Sequence, residues 1–138
     1  MSSNLIESLF VVGGYMKNVE RESKLQEKIM TRLRSQGIYV YKNAQNMYTE
    51  KGRPDLCACI PVSISMLQEL YGVDAKVGLF VGLELKRDGH LNEVSDAQKI
   101  VGRKILNSNG IWLPVDSIET VDNLLKMLRV AEVEDAVQ

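Results

Sequence analysis

Two carboxylates and one lysine in this sequence have the spacing of a metal-dependent hydrolytic site. Asp55 closes the stretch Gly-Arg-Pro-Asp at 52–55, and Glu84 and Lys86 stand two apart in a later apolar segment. Side chains in a strand alternate between faces, so Glu84 and Lys86 share one face. If the two predicted strands pair, the three side chains meet in one pocket. Carboxylates suit magnesium, and a lysine can position water or offset phosphate charge, which predicts phosphodiester hydrolysis.

The composition is typical of one globular domain and gives no overall basic field. The chain has 138 residues, of which 45% are hydrophobic and 25% charged, with a formal net charge of -1. A nucleic-acid partner must therefore be held by a local patch and a metal. No apolar run approaches the roughly 20 residues of a membrane span, and the start lacks a signal-peptide pattern. We expect no membrane partner and a cytoplasmic location.

Hydrophobic periodicity and chain breakers predict a mixed α/β fold whose central sheet has about four strands flanked by helices. One domain is expected over 18–132, with an arm at 1–17 and a tail at 133–138. A helical insertion at 63–76 is expected to start with a capping box from Ser65 to Gln68. The predicted elements are a helix from about Val19 to Gly37, strands at 38–41, 55–62 and 77–86, a helix from Ser95 to about Asn107, a strand at 111–115 and a helix after Ser117.

The first helix carries a carboxylate in line with its apolar stripe. Leu25, Ile29 and Leu33 recur at helical spacing, and Glu22 stands three residues before Leu25. Glu20 and Glu27 project elsewhere on this helix. A carboxylate aligned with a core stripe is either a misplaced surface residue or is directed at something inside, and the pattern leaves both interpretations open.

The polar segment between the first two strands has side chains suited to a sugar-phosphate backbone. Hydrogen-bond donors, cations and one aromatic ring gather there beside Asp55, and a further arginine follows Lys86. The alternative is an ordinary solvated loop. The predicted DNA-binding residues are Lys42, Asn43, Tyr48, Lys51, Arg53 and Arg87.

Four motifs, in order, resemble those of the virus-type replication-repair nuclease (VRR-Nuc) domain, which belongs to the restriction-endonuclease-like PD-(D/E)XK superfamily. The resemblance covers about residues 20 to 130 and implies a restriction-endonuclease-like core. A Pro-Asp followed by Glu-x-Lys recurs by chance, whereas the ordered set is more specific. The motifs are Arg21-Glu22-Ser23-Lys24-Leu25-Gln26, Gly52-Arg53-Pro54-Asp55, Glu84-Leu85-Lys86, and Ser95 with Gln98.

The resemblance implies a role for each matching residue. Asp55 and Glu84 would bind Mg2+ or Mn2+, with Lys86 as the catalytic lysine. Glu22 would help to hold metal or water, the backbone carbonyl of Leu85 can also coordinate metal, and Gln98 would be an accessory polar residue. The implied activity is a DNA endonuclease of replication, repair or recombination, selective for junction-, flap- or branch-type DNA.

The resemblance also implies a homodimer, since stand-alone members look like Holliday-junction resolvases in architecture. Apolar residues in the arm Leu5 to Val12 and in the insertion helix Met66 to Tyr71 are the predicted interface. Compared with compact family members, the gap from Asp55 to Glu84 is long. The loop before Gln98 is also extended. These departures leave substrate choice and dimer geometry open.

Other interpretations compete with nuclease activity. The charged residues could form a surface salt-bridge cluster, which contributes only about 0 to 1 kcal/mol per exposed pair. The chain could instead be a non-catalytic nucleic-acid-binding or assembly module that retains the fold, although its ligand set is intact. A magnesium-dependent nucleotide hydrolase should carry a glycine-rich phosphate loop, and the sequence contains no such loop.

Overall fold

The computed structural model describes residues 21–130, which fall into two compact units. The N-unit ends at Leu79 and the C-unit begins at Phe80. The predicted arm and tail lie outside the described residues. The N-unit contains α1 (Glu22–Ser35), β1 (Tyr39–Lys42), β2 (Leu56–Cys59) and α2 (Ile64–Tyr71). The C-unit contains β3 (Val81–Leu85), a 3-10 turn (Leu91–Glu93), α3 (Asp96–Asn107), β4 (Ile111–Val115) and α4 (Ile118–Met127).

The N-unit consists of a helix followed by an antiparallel hairpin. Tyr39 lies opposite Cys59, and this register runs on to the end of β1. Helix α1 stops at Gly37, as the sequence predicts, because Gly37 adopts a left-handed φ of 74°. The Ile38 amide donates to the Leu33 carbonyl at 3.1 Å and the Gly37 amide to that of Arg34 at 3.0 Å. These two bonds satisfy the last carbonyls of α1 and turn the chain into β1.

The start predicted for the insertion helix is wrong by two residues. Ser63, and not Ser65, is the N-cap, and its hydroxyl accepts from the Met66 amide at 3.2 Å. Ser63 has the extended backbone that an N-cap requires, whereas Ser65 already lies inside the first turn. Gly72, with φ 86°, ends α2 at the predicted residue.

The C-unit contains two parallel strands, β3 and β4, joined through α3. Glu84 lies opposite Pro114. The Ile111 amide donates to the Phe80 carbonyl at 2.9 Å and the Lys86 amide to the Val115 carbonyl at 2.8 Å. In a parallel ladder alternate residues direct their backbone groups to the partner strand, so the nitrogen of Pro114 faces the outer edge of β4. A proline is tolerated there because no ladder hydrogen bond is lost.

The core of the C-unit forms where α3 approaches the sheet closely. Ile105 and Val115 are buried, and the Trp112 ring lies against Gly102 on α3. A Cβ atom added at Gly102 would come within 2.3 Å of the indole. Only glycine lets the helix backbone approach the ring this closely.

The mixed α/β class and the order of elements predicted from the sequence are confirmed across residues 21–130. The second and third strands are shorter than predicted, because residues 60–62 and 77–79 are exposed and irregular. The described residues form two sheets of two strands, one in each unit, so one four-stranded sheet stays a prediction. Within the same residues, no helix has both the length and the apolar character to cross a membrane.

Replacing Gly102 with alanine should destabilise the protein, since the new methyl group must displace the indole. Overpacking costs about 1 to 3 kcal/mol, which exceeds the helix-propensity gain of about 1 kcal/mol at most sites. We expect the free energy of unfolding, measured in urea, to fall. Gly78→Ala is the matched control, because no atom lies within 4 Å of its added Cβ. Equal stability of Gly102→Ala and wild type would contradict the Trp112 packing.

Candidate functional site

The N-unit brings two of the predicted acids to one open cleft of about 590 Å³. Glu22 comes from the first turn of α1, and Asp55 directly precedes β2. Lys42 adds a cation from the end of β1. Carboxylate and amide oxygens together with one ammonium group make this cleft suitable for a hard cation or a phosphate. Its lining residues are Glu22, Ser23, Leu25, Gln26, Ile29, Lys42, Gln45, Asp55 and Leu56.

Glu22 and Glu27, the two described candidates for the acid on α1, line different depressions of the surface. Glu22, Gln26 and Ile29 recur on one side of α1 and line the cleft that Asp55 also lines. Glu27 lines a separate depression with Thr31 and other residues of the same helix. Glu20 lies outside the described residues. Of the two described candidates, Glu22 is therefore the one placed with Asp55.

The turn that carries Asp55 is held by Asn43, the first residue after β1. The Asn43 amide nitrogen of the backbone donates to the Asp55 carbonyl at 2.9 Å. Its side chain donates to the Pro54 carbonyl and accepts from Arg53, both at 2.8 Å. Asn43 is a predicted DNA contact, yet only 3% of it is exposed and its side chain is bonded within the protein.

The C-unit joins Glu84 to Gln98. The predicted capping box is confirmed: the Ser95 amide donates to Gln98 Oε1 at 2.9 Å, and the Gln98 amide donates to Ser95 Oγ at 3.1 Å. A backbone N–H can only donate, so Oε1 faces Ser95 and Nε2 is directed away. Nε2 donates to Glu84 Oε1 at 2.6 Å. The cap of α3 therefore also orients a predicted metal ligand.

The two faces of β3 differ in what covers them. Gly82, Glu84 and Lys86 are half-buried, and a Cβ at Gly82 would lie 3.0 Å from Ile105 of α3. The opposite face is apolar and exposed, with Leu85 reaching 70%. Because Lys86 directs its backbone to β4, the adjacent Leu85 directs its carbonyl to the other edge of β3. That carbonyl is thus outside the β3–β4 ladder.

The loop after Lys86 is held by contacts within the loop and by a hydrogen bond to Asp116, directly after β4. The Gly89 amide donates to Asp116 Oδ2 at 3.1 Å, and His90 Nδ1 lies 2.7 Å from Glu93 Oε1. Arg87, a predicted DNA contact, is exposed and 3.9 Å from the same carboxylate oxygen. An exposed pair of this length contributes little to stability, so Arg87 can leave it for a phosphate.

The remaining predicted DNA contacts lie on the loop between β1 and β2. Tyr48 is 90% exposed, and its backbone amide donates to Asn46 Oδ1 at 2.8 Å. This Asx turn, with Thr49 bonded back to Asn46, fixes the loop around an open aromatic ring. Lys51 and Arg53 are exposed near it in sequence. Cations flanking an exposed ring suit a nucleic-acid strand, which offers phosphates and base faces.

Comparison with protein-family models, curated proteins and solved structures gave no match. Within residues 21–130, no three histidine, cysteine, aspartate or glutamate side chains form a group ready to hold a metal. The predicted acids are divided between the units, with Glu22 and Asp55 in one and Glu84 in the other. The VRR-Nuc resemblance thus stays a prediction from the motifs.

Gln98→Ala should lower the free energy of unfolding by about 1 to 2 kcal/mol, because it removes both half of a capping box and a partner of Glu84. Lys99→Ala removes an exposed neighbour on the same helix and should stay within about 0.5 kcal/mol of wild type. Urea unfolding of the two variants measures the difference. Similar losses in both would show that the Glu84–Gln98 bond adds nothing to stability.

Proposed function

We propose that this protein is a metal-dependent DNA endonuclease of the VRR-Nuc type. The observation that supports this proposal best is the 2.6 Å hydrogen bond from Gln98 to Glu84. It puts two of the four sequence motifs in contact, as expected of an amide that orients a metal-binding carboxylate. The cleft shared by Glu22 and Asp55 supports the proposal from the other unit.

The proposed ligands are hard oxygen donors, which fit Mg2+ or Mn2+ better than softer metals. Asp55 and Glu84 would hold the metal, with Glu22 and the Leu85 carbonyl as further donors. When bound, such a metal supplies a Lewis acid at the scissile phosphate and lowers the pKa of a coordinated water. Lys86 orients the attacking water and offsets the negative charge that develops on the phosphate.

The proposed substrate is DNA, with a preference for junctions, flaps or other branches. The exposed ring of Tyr48 can stack on a base that lacks a neighbour, while Lys51 and Arg53 bind phosphates beside it. Lys42 in the Asp55 cleft and exposed Arg87 provide further phosphate contacts. Unpaired bases are accessible at branch points, and this favours branched over plain duplex DNA.

Substitution at the metal site tests the activity directly. Lys86→Ala should slow cleavage by at least about a hundredfold while leaving DNA affinity nearly unchanged, because one amine adds little to backbone binding. Asp55→Asn should abolish both cleavage and the stabilisation by Mn2+ that raises the melting temperature. In wild type that stabilisation reaches about 2.7 kcal/mol at about 100 times the dissociation constant. A panel of junction, flap, nicked and linear DNA with Mg2+ provides the substrates.

Glu22→Gln and Glu27→Gln form the matched pair for this experiment, and only the first should impair cleavage. DNA binding without cleavage of any substrate would favour the non-catalytic module. A Mn2+ response that is the same in wild type and Asp55→Asn would remove the proposed metal site.

We also propose that β2 and β3 pair, which would complete a mixed four-stranded sheet. The backbone of Leu83 is directed away from β4, by the same alternation that applies to Leu85. If β2 and β3 pair, the Leu83 amide donates to β2. Its hydrogen should then exchange with solvent as slowly as that of the Glu84 amide, which faces β4. Hydrogen exchange followed by NMR measures both. Rapid exchange at Leu83 beside slow exchange at Glu84 would rule out the pairing.

A homodimer is the proposed assembly, with α2 contributing to its interface. Ile64, Met66 and Leu70 on this short helix are exposed, which leaves apolar surface for a second copy to cover. Light scattering should give a dimer for the full chain and a weaker dimer for Leu70→Asp. Glu69→Gln, a polar change on the same helix, is the control. A monomer at micromolar concentration would contradict the proposal.

A further inference from the structure

Asn43 is a buried amide whose side chain is bonded at both ends. Its Oδ1 accepts from an Arg53 guanidinium nitrogen at 2.8 Å, and its Nδ2 donates to the Pro54 carbonyl at 2.8 Å. Nδ2 also lies 3.3 Å from the Cys57 sulfur. Guanidinium can only donate and a carbonyl can only accept, so the orientation of the amide is determined by its partners.

Asn43 also continues the hairpin ladder. Lys42 lies opposite Leu56, which puts Asn43 opposite Asp55, and its backbone amide donates to the Asp55 carbonyl at 2.9 Å. One residue thus bonds three successive residues of the Arg-Pro-Asp motif. Pro54 has a fixed φ and restricts Arg53 to extended backbone, so little freedom is left in the turn.

We infer that Asn43 is a positioning residue that holds a phosphate-binding arginine and a metal-binding aspartate as one rigid unit. This inference rests on the proposed nuclease function. Arg53 gives one of its five N–H donors to Asn43, and its exposed guanidinium can offer others to the non-bridging oxygens of a phosphate. Asp55, two residues on, supplies the carboxylate for the metal. The two groups then act on the same phosphodiester.

Few residues could replace asparagine at position 43 and keep both of its side-chain hydrogen bonds. Aspartate keeps an acceptor for Arg53 but loses the donor to Pro54. Alanine loses both bonds and frees the arginine. Glutamine is longer by one methylene group and would not fit the same buried space without shifting the turn. The same amide contacts Cys57, which pairs with Tyr41 in the hairpin, so the hairpin itself helps to hold Asn43 in place.

The experiment measures Mn2+ affinity by calorimetry, and kcat and KM for the best-cleaved DNA with Mg2+. Asn43→Ala should weaken Mn2+ binding about tenfold, as losses of residues that orient metal ligands do. It should also raise KM about tenfold, since the freed arginine binds phosphate poorly. Arg53→Ala should raise KM about as much and leave Mn2+ affinity within about twofold, because arginine is not a ligand.

In the double variant Asn43→Ala with Arg53→Ala, KM should be no higher than in either single variant, because both act through one arginine. Asn123→Ala, which removes an exposed amide of α4 in the other unit, should change neither quantity. If Asn43→Ala does not fold, as circular dichroism would show, Asn43→Asp replaces it. That variant keeps the Arg53 contact, so KM should stay near wild type while kcat falls.

The possible failures can be told apart. Wild type that cleaves no DNA and binds Mn2+ equally well with Asp55→Asn would overturn the proposed function and this inference with it. Wild type that cleaves and binds Mn2+ through Asp55, while Asn43→Ala or Asn43→Asp behaves like wild type, would overturn the inference alone. The inference would also fail if KM effects were additive in the double variant, or if Asn123→Ala matched Asn43→Ala.

Discussion

The close packing of α3 on the β3–β4 sheet is the constraint on which the C-unit depends. Gln98, Gly102 and Ile105 recur on one face of α3, and Gly102 lets the Trp112 ring lie against the helix backbone. The same face then places Ile105 near Gly82 and Gln98 against Glu84. Packing at one end of this stripe therefore fixes polar geometry at the other. Gly102 is not a predicted site residue, yet it helps to set the position of the Glu84 carboxylate.

In the N-unit, hydrogen bonds from the buried amide of Asn43 hold the turn that carries Asp55. Asp55 lies just before a strand, where side-chain direction is poorly fixed by the ladder alone. Asn43 supplies the missing restraint through bonds to Arg53 and Pro54. Buried amides are suited to this task because each side chain can accept and donate at once, and an unmatched end would be costly. In both units, therefore, an amide fixes the surroundings of an acid.

Most of the elements were predicted from local sequence signals. The predictions that failed concern features that depend on residues distant in the sequence. The capping box at Ser95 and Gln98, the stop at Gly37 and the strand 111–115 are encoded within a few neighbouring residues. Strand lengths depend on partners distant in sequence, so the second and third strands were predicted too long. The burial of Asn43 was missed for the same reason. Its polar neighbours are typical of a solvated loop, and only the hairpin register places it opposite Asp55.

Parallel pairing of β3 with β4 has a consequence for the order in which the chain folds. Val81 pairs with Ile111 across a connection that contains the whole of α3, whereas Lys42 pairs with Leu56 across the shorter loop 43–55. Loop closure costs more entropy for the longer connection, and non-local pairing slows folding. We therefore expect the hairpin that carries Asp55 to form earlier than the β3–β4 pair. The position of Glu84, which depends on that pair and on α3, is expected to be completed later.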